Sequence, residues 1–222
     1  MSGVGAPVVA DLMTRPVVTI PETARFKHVV AALNGHGVGS LPVLDQDGRP
    51  AGVVSEADLL GKLDRDGAGR PPLLPGKRWQ RWKKARATNA GDVMTRSLRT
   101  ITADATVADA ARELLHGKLR RLYVVDAQGR LVGVLARRDL LRVFLRPDQE
   151  LHTQVELEVR QRCLWAAPDE VSVRVRDGEV TLAGRVGLRS EARRAVALTE
   201  AIPGVVAVYD ELQHDVDDTV PA

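Results

Sequence analysis

Hydrophobic and polar positions follow two different periods along the first two thirds of this chain, and the order in which those periods succeed one another repeats. Val17 to Ile20 reads as a short strand, and Thr23 then opens a helix in which Phe26, Val29, Val30 and Leu33 keep the i, i+3, i+4, i+7 spacing of one face. Gly35 and Gly37 end that helix. Leu41 to Leu44 is an apolar strand, Asp47-Gly48 a tight turn, and Ala51 to Val54 the returning strand of a hairpin. Ser55 starts a second helix through Leu59, Leu60 and Leu63.

The same order then recurs. Thr100-Ile101 ends a strand, and Asp104 caps a helix with Val107, Ala110, Ala111 and Leu114 inward. Leu122 to Val125 and Leu131 to Leu135 pair across Gln128-Gly129, and Leu140, Leu141 and Val143 line a closing helix. Gly52-Val53-Val54-Ser55-Glu56-Ala57-Asp58 is matched by Gly133-Val134-Leu135-Ala136-Arg137-Arg138-Asp139, and the offset (133 − 52 = 81) also carries Asp11, Met13, Thr14 and Arg15 onto Asp92, Met94, Thr95 and Arg96. Each unit is strand, helix, strand, strand, helix. One such unit buries too little to stand alone, so the two are expected to pack sheet against sheet as a single α+β module.

After Pro147 the pattern changes. Gln149 to Leu164 reads as a helix whose stripe is Leu151, Val155, Leu157 or Glu158, and Val159. Val171, Val173 and Val175 alternate with polar neighbours, Asp177-Gly178 turns the chain, and Val180 and Leu182 alternate back, which predicts a hairpin. Ser190 caps a helix through Ala192, Ala195, Val196 and Leu198, Pro203-Gly204 breaks it, and Val205 to Val208 is a last strand. Asp215, Asp217 and Asp218 read as a solvated acidic tail. The boundaries that follow are 7–65 and 89–146 for the two copies, 66–88 for the linker between them, 149–214 for a third domain and 215–222 for the tail.

Composition changes this picture in three ways. With 44% hydrophobic and 27% charged residues in 222, the chain is expected to fold as an ordinary globular protein. Neither a span of apolar residues long enough for a membrane nor a secretory leader is evident, which points to the cytoplasm. Charge is divided: residues 150–222 carry eight Lys/Arg against fourteen Asp/Glu, a balance of −6, leaving +9 of the net +3 for residues 1–149. The sharpest cluster is Lys77-Arg78-Trp79-Gln80-Arg81-Trp82-Lys83-Lys84-Ala85-Arg86, six basic residues in ten with no acid. Only 3% of residues are aromatic, which argues against a stacking platform for nucleic acid. Cys163 alone cannot form an internal disulfide or a cysteine metal site and is expected to pack in or near a core. His28, His36, His116, His152 and His214 form no ligand-spaced pair, and no nucleophile-base order or phosphate loop stands out. Neither an enzyme, a metal nor a resident cofactor is expected.

The doubled unit resembles a tandem pair of CBS domains, the Bateman module, and Val171 to Val208, with Asp177-Gly178-Glu179-Val180-Thr181-Leu182-Ala183-Gly184 and its Pro-Gly-Val-Val-Ala-Val ending, is similar to a BON domain. The first resemblance implies an adenosine-containing ligand, such as AMP, ADP or ATP, bound in clefts of the pair. Ser55 and Asp58 would serve the first copy and Asp139 the second, where Ala136 has no hydroxyl. A carboxylate one turn into a helix can accept both ribose hydroxyls, and strand backbone near Thr19 and Thr100 matches the segment the family uses around adenine. Under the pseudo-twofold relation Arg137 would face the phosphate at the first site and Glu56 the second, making the first site the better one for an anion. Ser55 and Asp58 also satisfy the spacing of a helix capping box, a role compatible with ligand binding.

Two readings of the basic segment stay open. Trp79 and Trp82 share a helix face among Lys77, Arg78, Arg81, Lys83 and Lys84, which suits contact with anionic lipid or nucleic acid. The same pattern fits tryptophans packed on the paired units with solvated charges. The BON resemblance implies a phospholipid surface or a protein partner. The function expected is a non-catalytic sensor of an adenosine ligand, a homodimer through its paired units. The alternative is a dimeric scaffold that docks on membrane or protein and has no nucleotide.

Overall fold

The computed structural model describes residues 7–63, 76–162 and 171–218, with backbone alone at 77, 78 and 162. Its elements run α1 (Val9–Leu12), β1 (Ile20–Pro21), α2 (Phe26–His36), β2 (Ser40–Leu44), β3 (Pro50–Ser55), α3 (Glu56–Leu60) and α4 (Lys77–Arg86). There follow α5 (Ala90–Val93), β4 (Thr100–Thr102), α6 (Val107–His116), β5 (Arg121–Val125), β6 (Leu131–Ala136) and α7 (Arg137–Leu141), which a 3-10 turn over Arg142–Leu145 extends. The last five are α8 (Asp148–Arg162), β7 (Val171–Arg176), β8 (Glu179–Leu188), α9 (Arg189–Glu200) and β9 (Ala207–Val216). The chain divides into two compact units, one of residues 13–105 and 113–136, the other of the remainder.

The first of these units holds both repeats' sheets, and they are copies of each other. β1 lies parallel to β2 and β2 antiparallel to β3, just as β4 lies parallel to β5 and β5 antiparallel to β6. Leu41 pairs with Val54 and Leu122 with Leu135, and the register slips at the equivalent points Val43/Leu44 and Val124/Val125. Alternation along these strands puts Leu41, Val43, Val54, Leu122, Val124 and Leu135 inside, none more than 1% exposed.

The copies are interleaved. The Met13-Thr14 segment that precedes the first copy bridges to Val134 of the second, while Met94-Thr95, which precedes the second, bridges to Val53 of the first. Glycine is required beneath each methionine: a Cβ on Gly52 would lie 2.5 Å from Met94 Sδ, and one on Gly133 would lie 2.2 Å from Met13 Sδ. The hairpin turns meet too, through Leu131 N–H to Gly48 O at 3.2 Å and Arg49 Nε to Gln128 O at 3.2 Å. Ala87, at the end of the linker, and Ala90, Val93 and Met94 beyond it complete the apolar core built on Ile20, Val29, Leu33, Leu41, Val43 and Val54. The first copy therefore does not close its core without residues that lead into the second, as the small size of its sheet requires.

Several helix boundaries and orientations differ from the sequence expectation. α2 begins at Phe26 rather than near Thr23, because Arg25 bridges to Asn89 and the Phe26 N–H donates to Thr88 O at 2.9 Å. α6 is capped by Thr106, whose hydroxyl accepts the Asp109 N–H at 3.1 Å, and not by Asp104. α3 ends at Leu60, short of Leu63, which is 83% exposed. Leu141 also points outward, whereas Leu140 and Val143 are buried as expected.

The other unit contains the third domain. α8 presents Leu151, Val155 and Val159, at i, i+4 and i+8, to a core shared with Val171, Val173, Val180, Leu182, Ala192 and Ala195. Leu157 is on the exposed side of that helix. β7 and β8 form the expected hairpin, with Val173 opposite Leu182, and β9 then runs parallel to β8 from Ala207 to Val216. Gly178 turns the hairpin with φ 77°, and Asp148 accepts both the Asp177 N–H at 2.7 Å and the Gly178 N–H at 2.9 Å. The acidic end is not a free tail as far as Asp218. Asp215 pairs with Arg185 at 3.3 Å, Asp217 pairs with Arg189, and Asp218 accepts the Ser190 N–H at 3.0 Å. Cys163 and Leu164 lie outside the described residues, as does the Gly/Pro-rich stretch of the linker from Asp64 to Pro75.

Candidate functional site

The site begins where β3 turns into α3. Val54 is locked in the core, so the chain direction at Ser55 is fixed, and Ser55 takes extended geometry (φ −117°, ψ 163°) before the helix starts at Glu56. One turn later Asp58 reaches back: its Oδ2 accepts the Ser55 N–H at 2.9 Å and the Ser55 hydroxyl at 2.6 Å. The acid therefore supplies its half of a capping box, while the serine hydroxyl donates to the carboxylate. The Glu56 N–H is taken by Gly39 O at 3.1 Å.

The third partner of Asp58 comes from the basic segment. Lys84 on α4 places Nζ 2.6 Å from Asp58 Oδ1 and 2.8 Å from Thr95 Oγ1, with the two charged side chains only 23% and 15% exposed. α4 is held there by Ala85 and Ala87, both buried, and by Trp82, whose Nε1 is buried without a hydrogen-bond partner. Lys84 is not one of the outward-facing cations that the charge run suggests, for its side chain is turned onto the site. The density of positive charge drew attention to this segment, but a pairing across 26 residues left no local signal.

Burial pushes the Asp58 carboxyl up, but the Lys84 hydrogen bond, the two Ser55 hydrogen bonds and the lysine charge together outweigh it and hold the group below its ordinary value. A carboxyl lowered in the folded state contributes stability above its unfolded pKa, about 3.9 for aspartate, and loses it as pH falls through the lower folded value. Acid unfolding followed by circular dichroism should therefore show Asp58→Asn less sensitive to pH below about 4 than the wild-type chain. Parallel acid profiles for the two proteins would contradict that assignment.

The remaining sequence-predicted residues are distributed as follows. Thr19 is half-buried immediately before β1, and Thr100 is the exposed first residue of β4, opposite Tyr123; both belong to the unit that holds Ser55, Asp58 and Lys84. Arg137 and Asp139 belong to the other unit, on the first turn of α7. Asp139 is 6% exposed with Arg138 Nε 3.9 Å from its carboxylate, and Arg137 is exposed. On α4, Trp79 is 38% exposed with Lys83 Nζ 5.8 Å from its ring centre, Trp82 carries the Arg86 guanidinium at 4.4 Å, and Arg81 is exposed. The side chains of Lys77 and Arg78 lie outside the described residues.

An apolar groove of about 790 Å³ opens between α2 and α3, lined by Phe26, Leu33, Leu59, Leu60 and Leu63 among others. Among the described residues no cluster of His, Cys, Asp or Glu could hold a metal ion, and no helix is long and apolar enough to cross a membrane.

Two small sheets of identical topology, interleaved through their leading segments, with an acid one turn into the helix after the third strand, define a CBS pair. The chain belongs to the CBS-domain family: the CBS domain model matches residues 9–65 and 90–146, and the BON domain model matches residues 151–214 that follow. It is similar to the chloroplastic CBS domain-containing protein CBSX2 of Arabidopsis thaliana, 36% identical over 124 residues that cover 51% of this chain and 52% of that protein. It is also similar to CBSX1 of the same plant, 29% identical over 154 residues, covering 64% of this chain and 65% of that protein. Among solved structures, CBSX2 in complex with AMP matches 62% of this chain and 96% of its own with a TM-score of 0.53 and 30% identity.

Proposed function

We propose that this protein is a regulatory module that binds an adenosine-containing ligand, with Asp58 holding the ribose at the end of β3, and that occupancy is passed to α4, the BON domain or a partner. The observation that carries the reading is the likeness of the pair to CBSX2 in complex with AMP, over 62% of this chain. Supporting it, Asp58 is a charged acceptor that is 15% exposed and set on a rigid strand-to-helix junction, the arrangement a diol needs for two charge-assisted hydrogen bonds. Ser55 holds that carboxylate in place, its hydroxyl donating to Oδ2 at 2.6 Å. Asp139 is the counterpart in the second copy, without that hydroxyl. Arg137 is assigned to the ligand phosphate from the symmetry of the repeat alone, and AMP titration of Arg137→Ala tests it. In this reading the nucleotide is a signal and not a resident cofactor.

A thermal-shift panel of AMP, ADP, ATP, S-adenosylmethionine and NAD tests the proposal. A ligand that binds only the folded chain raises its stability by about 2.7 kcal/mol at a hundred times its Kd, so at least one adenosine compound should raise Tm by several degrees. The groove between α2 and α3, with Leu60 60% and Leu63 83% exposed, favours a second reading, a scaffold that joins a second copy or another protein through that face. No shift with any of the five compounds would favour the scaffold.

A further inference from the structure

We infer that Lys84 is the residue by which the Asp58 site distinguishes a phosphorylated adenosine ligand from the uncharged nucleoside. The inference rests on the reading that Asp58 holds the ribose, and it adds a residue from the linker helix to that site.

A carboxylate offers about four lone-pair positions. In Asp58 three are in use: Oδ2 accepts the Ser55 N–H and the Ser55 hydroxyl, and Oδ1 accepts Lys84 Nζ. A ribose diol requires two. One of the present donors must therefore leave before both hydroxyls can bind. Both Ser55 donors sit on Oδ2 one turn away and close the start of α3, whereas Oδ1 holds Lys84 alone at the end of a flexible side chain, so the position a ligand takes over is the one Lys84 occupies. Nζ lies 2.6 Å from Oδ1, about where the oxygen of a donating hydroxyl would sit, so the ammonium fills the place of a ligand atom.

The cost of moving Lys84 depends on what replaces Asp58 as its counter-charge. An ammonium that is only 23% exposed gives up an anionic partner and the Thr95 hydroxyl when it is displaced. A nucleoside offers nothing in return, and the charge is left to water. A nucleotide brings a phosphate on the 5′ side of the same ribose, within the sweep of a lysine's four-carbon stem, and the ammonium exchanges one anion for another. Lys84 thus acts against adenosine and is neutral toward, or favours, AMP. The neighbouring cations do not share this role by position: Lys83 lies over the Trp79 ring and Arg86 over that of Trp82.

The test is the ratio of AMP to adenosine affinity, measured by calorimetry on the full chain for wild type, Lys84→Met and Lys83→Met. Methionine keeps the length of the stem and removes the ammonium, and α4 remains anchored by Ala85, Ala87 and Trp82. Lys83→Met removes the same charge from the same helix and so controls for the general attraction of a positive surface to AMP. The wild type and Lys83→Met should prefer AMP by tenfold or more, whereas in Lys84→Met adenosine binds several-fold more tightly than in wild type and the ratio falls to about threefold or less. A ratio in Lys84→Met equal to that of wild type overturns the role of Lys84 while leaving the ribose site standing. Failure of all three proteins to bind either compound overturns the ribose site, and the role of Lys84 with it.

Discussion

Asp58→Ala should weaken AMP binding by about a hundredfold or more. Hydrogen bonds to a charged group contribute about 1.5–3 kcal/mol each, the substitution removes two of them, and every 1.4 kcal/mol is a factor of ten. The effect should be selective. The carboxylate is attached to α3 and not to the core, and the Val54 side chain that fixes the strand is untouched, so the variant should remain folded at neutral pH. Three structural consequences accompany the loss: the Ser55 N–H and the Ser55 hydroxyl lose their acceptor, and Lys84 keeps only Thr95. Asp139→Ala should weaken AMP binding less, because the second copy carries Ala136 where the first carries Ser55. Calorimetric titration of the two variants beside wild type checks both statements, and equal affinity for all three proteins would contradict them.

Gly133→Ala should be among the most destabilising single-methyl additions in the chain. Its new Cβ would stand 2.2 Å from Met13 Sδ, 2.9 Å from Cγ and 3.2 Å from Cβ, and Met13 itself is only 8% exposed. The far end of a methionine can move, but its own Cβ cannot without shifting the Thr14 bridge to Val134 that joins the leading segment to the second copy. Overpacking of this kind costs about 1–3 kcal/mol. For a chain of this size that lowers Tm by roughly 2–12 °C. Met13→Ala removes the obstructing atoms, so the double variant should be more stable than the sum of the single effects, and a double-mutant cycle in urea measures that coupling. Strict additivity would mean that the two residues do not share this contact. Gly52→Ala meets Met94 in the same way, with Thr95 O also at 3.0 Å, and should behave alike.

The repeat made much of this legible. An offset of 81 that carries both the Gly52 to Asp58 stretch and the Asp11 to Arg15 stretch onto later copies fixed the order of elements and the equivalence of the two sheets. The hairpins at Asp47-Gly48, Gln128-Gly129 and Asp177-Gly178 were readable because the turn chemistry and the alternation on either side are local. What could not be read was every feature in which one stretch is completed by a remote one. The Met-Thr segments repeat in sequence, yet nothing local says that each pairs with the other copy's strand. The start of α2 is set by Thr88 and Asn89, more than sixty residues away. The acidic end reads as solvated because its partners are remote in sequence: Arg185 lies on β8, which pairs in parallel with β9, and Arg189 and Ser190 begin α9.

The site shows the same division. Ser55 and Asp58 are close in sequence, and their spacing already announced both a helix cap and a diol acceptor. Lys84 is far away and sits in a run of cations whose composition suggests an outward face. Helical periodicity distinguishes the two orientations only weakly here, since Trp79, Trp82 and Ala85 form the apolar stripe and Lys84 lies beside it. The fold decides the matter by burying Ala85 and by packing Ala87 into the first copy's core, with Lys84 turned toward Asp58.

The most direct test is a structure of this protein determined with AMP bound. The ribose hydroxyls are expected on the Asp58 carboxylate, with Lys84 Nζ moved off Oδ1 and onto the phosphate. AMP bound away from Asp58, with the lysine still on the carboxylate, would contradict it.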